Sequence, residues 1–386
     1  MKKISISHLI LMSIFLLAPQ SIFSQGTYLW DSARLREIKS NPTKYHNLYS
    51  QSRRAAERYL SEPLILITDK PATFVSDTHN YVSMSPYYWP DPIDPRRKYI
   101  LKDGQMNPEY NKYDGMKLQD LELKMRMLSI AYYLSNDEKY RTAYMDQLTA
   151  FFIDSRTYMY PNFEHAQFAP GHNNNAGRAA GIIEAYNFCS IIESIRLVNS
   201  VKSIEPQIMD GLRDWFSQFM HWLETSENGI QEYNTNTNHG IAYDVLLINI
   251  ELFCHDSLNE DSYKTFRSRR LKTQFAKNGS QPEELKRTRS FHYSTYNLIH
   301  VIDLCKILNS AGVDYYSKNK DIIDPAFNFL LQYIGHKDRY PYKEISKSWD
   351  LLETNLLREY NRLPGMNKNK SKYPFDFYSS IKLIHL

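Results

Sequence analysis

Stretch after stretch of this chain repeats apolar residues three and four positions apart, the spacing that lines one face of an α-helix. Ile208, Leu212, Trp215, Phe216, Phe219 and Leu223 keep that spacing, as do Leu121, Met125 and Leu128. Ile182, Ala185, Tyr186, Cys189 and Ile192 form another stripe; Leu298, Ile302, Cys305 and Leu308 form a fourth, and Ile323, Phe327, Leu330 and Ile334 a fifth. Alternating runs are scarce, with Leu64 to Thr68 and Thr73 to Ser76 reading as short strands, and no strict repeat or heptad array is present. Amphipathic helices of roughly 12–20 residues joined by polar loops predict antiparallel helical hairpins, and an all-α architecture, an (α/α) toroid or incomplete barrel, accommodates them better than a small bundle. Ser280-Gln281-Pro282-Glu283 reads as a capping box with proline in the first turn, after an Asn278-Gly279 turn. Asn234 to Asn238 reads as a polar loop feeding an apolar helix from Ile241, and Asn367 to Lys372 as a basic loop near the C-terminus.

Composition narrows the class. Of 386 residues, 42% are hydrophobic and 14% aromatic, which supplies ample surface to bury and excludes disorder. The Gly and Pro counts, 13 and 17, exclude collagen-like architecture. Cys189, Cys254 and Cys305 lie far apart in apolar runs, which reads as buried free thiols rather than a disulfide framework. Lys2 and Lys3, the apolar run Leu9–Ala18, Pro19 and the small Ser24 before Gln25 compose a secretory signal peptide over residues 1–24. Residues 25–386 then form a single domain, expected in the periplasm or secreted. No cysteine follows the apolar run to carry a lipid anchor, and no segment reaches the ~18 apolar residues of a membrane span. The formal charge of +4, half of it from Lys2 and Lys3, is too balanced to imply nucleic acid as a partner.

Four polar segments stand out against the helices. Prolines hold Tyr81–Pro92 out of any helix interior, so Tyr87, Tyr88 and Trp89 sit on a rigid loop, either to stack on sugar rings or to pack on the core. The stretch from Glu164 and Gln167 to Asn173, Asn174, Asn175 and Arg178 is dense in amides just before a helix; it reads as a ligand contact, three asparagines being more than one cap requires. Glu232–Asp244 places His239 beside Gly240 at a loop-to-helix junction. Glu284–Tyr296, with Arg267, Arg269, Arg270 and Lys272 upstream, is the densest basic region. On a continuous helix the side chains of Arg287 and Tyr293 would point about 120° apart. None of these carries a metal or cofactor signature: there is no HExxH, zinc-spaced cysteine pair or phosphate loop, and no Gly-x-Ser-x-Gly elbow or glycosidase carboxylate pair.

Taken in order from about Tyr81 to Ile345, these segments resemble the alginate-lyase family of helical-toroid polysaccharide lyases. The most specific parts are Asn238-His239-Gly240 with Tyr243-Asp244, and Gly279-Ser280-Gln281-Pro282 followed by Glu284 to Ser290 and Tyr293-Ser294; Pro170 to Arg178 and Gly312-Val313-Asp314 add support. The resemblance implies a cleft for an anionic polysaccharide or oligouronate, alginate, polymannuronate or glucuronan, cut at a 1,4-linkage by β-elimination without a cofactor or metal. It assigns Asn238, His239 and Arg287 to neutralising the uronate carboxylate, with Arg289 the alternative arginine, and Tyr293 to taking the C5 proton and returning one to O4. Arg178, Gln167, Asn174, Glu232, Tyr88 and Trp89 are expected along the cleft. A hydrolase on the same toroid, with Glu164, Glu232 or Asp244 as acid, and a glycan-binding protein using Tyr87-Tyr88-Trp89 are the competing readings.

Overall fold

A computed structural model describes residues 26–70 and 74–363. The expected signal peptide, Thr73 and the basic loop from Asn367 lie outside the described residues, and residues 74–76, the rest of the second expected strand, form no strand. The α-helices are α1 Ser32–Ser40, α2 His46–Leu60, α3 Asp114–Ser135, α4 Glu138–Phe152, α5 Asn187–Val201, α6 Pro206–Thr225 and α7 Glu227–Tyr233. They continue as α8 Asn238–His255, α9 Glu260–Lys264, α10 Lys272–Gln274, α11 Pro282–Leu285, α12 Ser290–Ser310, α13 Tyr315–Leu331 and α14 Trp349–Asn361. The strands are β1 Val82–Met84, β2 Tyr88–Trp89, β3 Ile100–Leu101 and β4 His165–Phe168.

The helices pack in two layers. α3, α5, α8 and α12 contact one another in series and form an inner arc, while α2 and α4 back α3, α6 backs α8, and α13 and α14 back α12. That is an (α/α) toroid, as the periodicity predicts. The two layers have different sequence textures, for a physical reason. Outer α6 buries one stripe, Met209, Leu212, Trp215, Phe216, Phe219 and Leu223. Inner α3, α8 and α12 are covered on nearly every side, so buried positions run almost continuously along them. Buried charges there have partners: Arg126 pairs with Glu122 at 3.0 Å, and Lys124 donates to the Pro63 carbonyl at 2.9 Å.

Strands occur elsewhere than the sequence predicts. Leu64–Thr68 forms no strand. Instead β1 pairs in parallel with β4, Val82 beside His165 and Met84 beside Phe168. β2 and β3 form an antiparallel hairpin, Tyr88 opposite Leu101 and Trp89 opposite Ile100. These strands are two to four residues long, too short for alternation to register as a pattern. The capping box is also displaced: Gln281, not Ser280, is the N-cap of α11 and makes no side-chain cap bond, its amide being taken by the Ser294 carbonyl and Asn297, while the Ser280 hydroxyl turns to Asn278 Oδ1 at 2.7 Å. The three cysteines are unpaired, and burial pushes the thiols of Cys254 and Cys305 up to about 12, which leaves them unreactive.

Candidate active site

The corner that carries Asn238 and His239 is fixed from below. Arg270, 2% exposed, donates Nε to Asp244 Oδ2 at 2.8 Å, Nη1 to the Thr235 carbonyl at 2.8 Å and Nη2 to the Tyr233 carbonyl at 2.7 Å. It thereby ties the loop before α8 to the helix itself. A Cβ on Gly240 would stand 2.1 Å from the Thr235 carbonyl oxygen and 2.5 Å from Arg270 Nη1, so only glycine lets the guanidinium approach. On this corner His239 Nδ1 lies 2.7 Å from Glu232 Oε1, and Glu232 is 2% exposed. With Nδ1 donating to that carboxylate, Nε2 is the nitrogen left for a ligand. Asn238 is fully buried: its backbone N–H and Nδ2 donate to Glu284 at 2.7 and 2.9 Å, and its Oδ1 has no partner.

Tyr293 stands in the first turn of α12. Its hydroxyl is 2.6 Å from that of Tyr87, on the approach to β2, and the Arg287 guanidinium carbon lies 3.7 Å from its ring centroid. The chain leaves helix between α11 and α12, so Arg287 folds back flat over the ring instead of pointing about 120° away. Burial and the neighbouring Tyr87 push the Tyr293 phenol well above its usual value, and Arg287 pulls it down. Arg287 Nε and Nη2 donate to Asp103 Oδ1 at 3.1 and 2.6 Å. Arg289 donates Nε to Ser346 Oγ at 2.8 Å and pairs by backbone with Glu344. Between them, burial first and then the charges of Arg289 and Arg287 push the His292 imidazole down to about 3, so it is neutral.

A second group is assembled around β4. Arg178 donates to the Gln167 carbonyl at 3.0 Å, Gln167 Oε1 at 3.2 Å and Ser85 Oγ at 3.0 Å, with its guanidinium carbon 5.2 Å from the Tyr88 ring centroid. Gln167 Nε2 donates in turn to Glu184, which also accepts from Tyr81 and Ser83 at 2.7 and 2.6 Å. Trp89 is held by its indole N–H on the Gln105 carbonyl at 2.8 Å, and Lys102 Nζ lies 5.1 Å from its ring centroid. Tyr88 and Trp89 are half-buried, and Asn174 is exposed. Asn173, Asn174 and Asn175 take φ of 44°, 52° and 59°, a left-handed run that asparagine tolerates better than other side chains. The amide density therefore has a backbone cause in addition to any ligand contact.

The upstream arginines of the basic region are held in ion pairs. Arg267 pairs with Asp321 at 2.7 Å, and Arg269 and Arg270 share Asp244 at 2.6 and 2.8 Å, presented by a π-helical turn over Arg267–Leu271. Tyr87, Asp103, Glu284 and His292 complete the site; sequence reasoning assigned no role to the last three and read Tyr87 only as a loop aromatic for sugar or core, not as a partner of Tyr293. Tyr87 stood in the aromatic triplet and Glu284 and His292 inside a quoted segment, whereas Asp103 meets Arg287 across 184 positions and leaves no local signal. Among the described residues no three or more His, Cys, Asp or Glu side chains gather as a metal cage, and no helix is long and apolar enough to cross a membrane.

Inner helices α8 and α12 of this toroid carry a carboxylate-held histidine and a tyrosine under an arginine, and similarity to known proteins makes the chain a polysaccharide lyase. The alginate lyase family model matches residues 67–340, and the chain belongs to that family. It is similar to an alginate lyase from Bacteroides ovatus at 35% identity, over 87% of this chain and 91% of that one, with a TM-score of 0.82. Its fold is also that of alginate lyase A1-III from Sphingomonas species A1, at 15% identity over 84% of this chain and 91% of the other, TM-score 0.52. That enzyme has also been solved as a variant complexed with a tetrasaccharide, to which the chain aligns at 13% identity, over 84% of this chain and 90% of that one, with a TM-score of 0.51. No curated protein matches the chain.

Proposed function

We propose that this lyase is exported and cleaves a 1,4-linked polyuronate of the mannuronate or glucuronate type, with Tyr293 as both base and acid. The observation that carries the reading is the setting of the Tyr293 hydroxyl, hydrogen-bonded to Tyr87 at 2.6 Å beneath the Arg287 guanidinium. Tyr293 as phenolate takes the C5 proton, and the electron pair moves into the carboxylate as an enolate. The enolate then expels O4, which takes the same proton back from Tyr293, leaving a C4–C5 double bond and restoring the phenolate. Loss of the proton from one of the two phenols leaves an O–H···O⁻ bond from the other, and the cation over the ring face stabilises the same charge.

The enolate needs donors at the uronate carboxylate. His239 Nε2 and the unbonded end of the Arg289 guanidinium supply them; Asn238, bound to Glu284, holds the corner that aims His239. Arg178, Gln167, Tyr88, Trp89 and Asn174 extend the cleft along β2 and β4. In mannuronate and glucuronate C5–H and O4 lie on one side, so one tyrosine serves both steps. Guluronate would require His239 as a second base. A hydrolase has fewer resources here, since Glu232 is bound to His239 and Asp244 lies between Arg269 and Arg270. The lysine-led apolar leader supports export. Tyr293→Phe tests the reading: ultraviolet-absorbing product should vanish while oligomannuronate binding persists, and near-wild-type turnover would remove Tyr293 from the mechanism.

A further inference from the structure

Asp103 follows β3 at the open end of the hairpin, where Lys102 N–H bonds the Tyr87 carbonyl at 2.8 Å, and every polar contact of its carboxylate reaches the turn before α12. Oδ1 accepts Arg287 Nε and Nη2 at 3.1 and 2.6 Å, and Oδ2 accepts the Thr288 N–H and lies within reach of its hydroxyl, both at 2.9 Å. The Thr288 hydroxyl is also 2.8 Å from the Asp103 carbonyl oxygen. Gly104 follows at φ 73°, and a Cβ there would stand 2.6 Å from Thr288 Oγ1 and 2.9 Å from Arg289 Cγ. The open end of the hairpin is thus seated on the turn with no room for a side chain at Gly104. Two donors on one edge of the guanidinium fix its plane, and that plane lies over Tyr293.

Placed near a phenol that must become phenolate, a carboxylate by itself opposes the ionisation. Its presence is productive through the arginine it holds, which sits 3.7 Å from the ring centroid with the carboxylate at the guanidinium edge. From this geometry we propose that Asp103 is a positioning residue for the base: it holds Arg287 face-on to Tyr293 and couples the seated hairpin to the chemistry. Arg287 therefore serves the base, and the carboxylate of the substrate is left to His239 and Arg289. The inference rests on Tyr293 being the base. The groups around that phenol are Tyr87 and Asp103 from the hairpin, Arg287 and Glu284 from α11 and its turn, and His292 from α12, with His239 across Glu284.

The test is the pH profile of kcat/KM on polymannuronate for the full chain and for Asp103→Ala, Asp103→Asn, Arg287→Ala and the Asp103→Ala/Arg287→Ala pair. In Asp103→Ala the acid limb should move up by about one unit, with roughly tenfold lower kcat below it and KM changed less. Asp103→Asn keeps an acceptor for Arg287 and should fall between, which carries the test if the alanine variant does not fold. The double variant should be no slower than Arg287→Ala alone, since one acts through the other. An unmoved limb in both Asp103 variants, or losses that multiply in the double variant, would overturn the assignment. If Tyr293→Phe retains turnover, the base itself is wrong; if it is inactive and the Asp103 limb stays put, only the positioning role fails.

Discussion

At the scale of single residues, Tyr293 is a phenol under opposed influences. Burial pushes its pKa up, against ionisation, and Arg287 pulls it down, so turnover should climb toward alkaline pH as the phenolate fraction grows. Tyr293→Phe should cost about 10²–10⁴-fold or more in kcat. Glu232→Gln keeps the shape but removes the charge that holds His239 Nδ1, and should lower kcat by roughly 10-fold or more with the melting temperature little changed. Unchanged kinetics in that variant would make the Glu232–His239 contact structural only. Asn238, His239, Arg287 and Tyr293 could be named as candidates because they sit in the short motifs that carry the family resemblance. Their partners were not. Tyr87 and Asp103 reach Tyr293 and Arg287 from a hairpin far away in the chain, and Glu284 reaches Asn238 across 46 positions.

Among the elements, the start of α8 shows how a local sequence choice sets the site. Gly240→Ala would press a methyl group against the Thr235 carbonyl and Arg270, and should destabilise the fold by about 3 kcal/mol while displacing His239. Thermal unfolding and kcat would report the two effects separately. Asp244→Ala strips Arg270 of its buried partner and should cost about 3–5 kcal/mol, read as a lower denaturant midpoint. The outer helices were legible for the same reason that they are amphipathic: α6 shows its stripe because its other face meets water. The inner helices lack a polar face, so the stripes read on α3, α5 and α12 are only parts of longer buried runs that include Glu122, Arg126, Glu193 and His300, and α8 showed none. The pieces of strand and the left-handed asparagines were hidden because pairing partners and φ values are settled by the tertiary fold.

For the molecule as a whole, a buried neutral histidine in the inner arc makes stability depend on pH. His300 is fully buried with both ring nitrogens unpartnered, and burial pushes its imidazole down to about 3. Below its ordinary value near 6.5 the unfolded chain takes up this proton and the folded chain does not, so stability is lost as pH falls from about 6.5 toward 3. At pH 5 the loss is about 2 kcal/mol. His300→Leu should narrow the gap between melting temperatures at pH 7.5 and pH 5; an unchanged gap would assign the acid sensitivity to other groups.

The fold, the family and the tyrosine beneath its arginine converge on elimination, which alone among glycan cleavages leaves a conjugated double bond. The most direct measurement is therefore ultraviolet absorbance of the purified protein mixed separately with polymannuronate, glucuronan and polyguluronate. A rise with polymannuronate or glucuronan, absent in Tyr293→Phe, is the expected result. Reducing ends released without any rise in absorbance would contradict it.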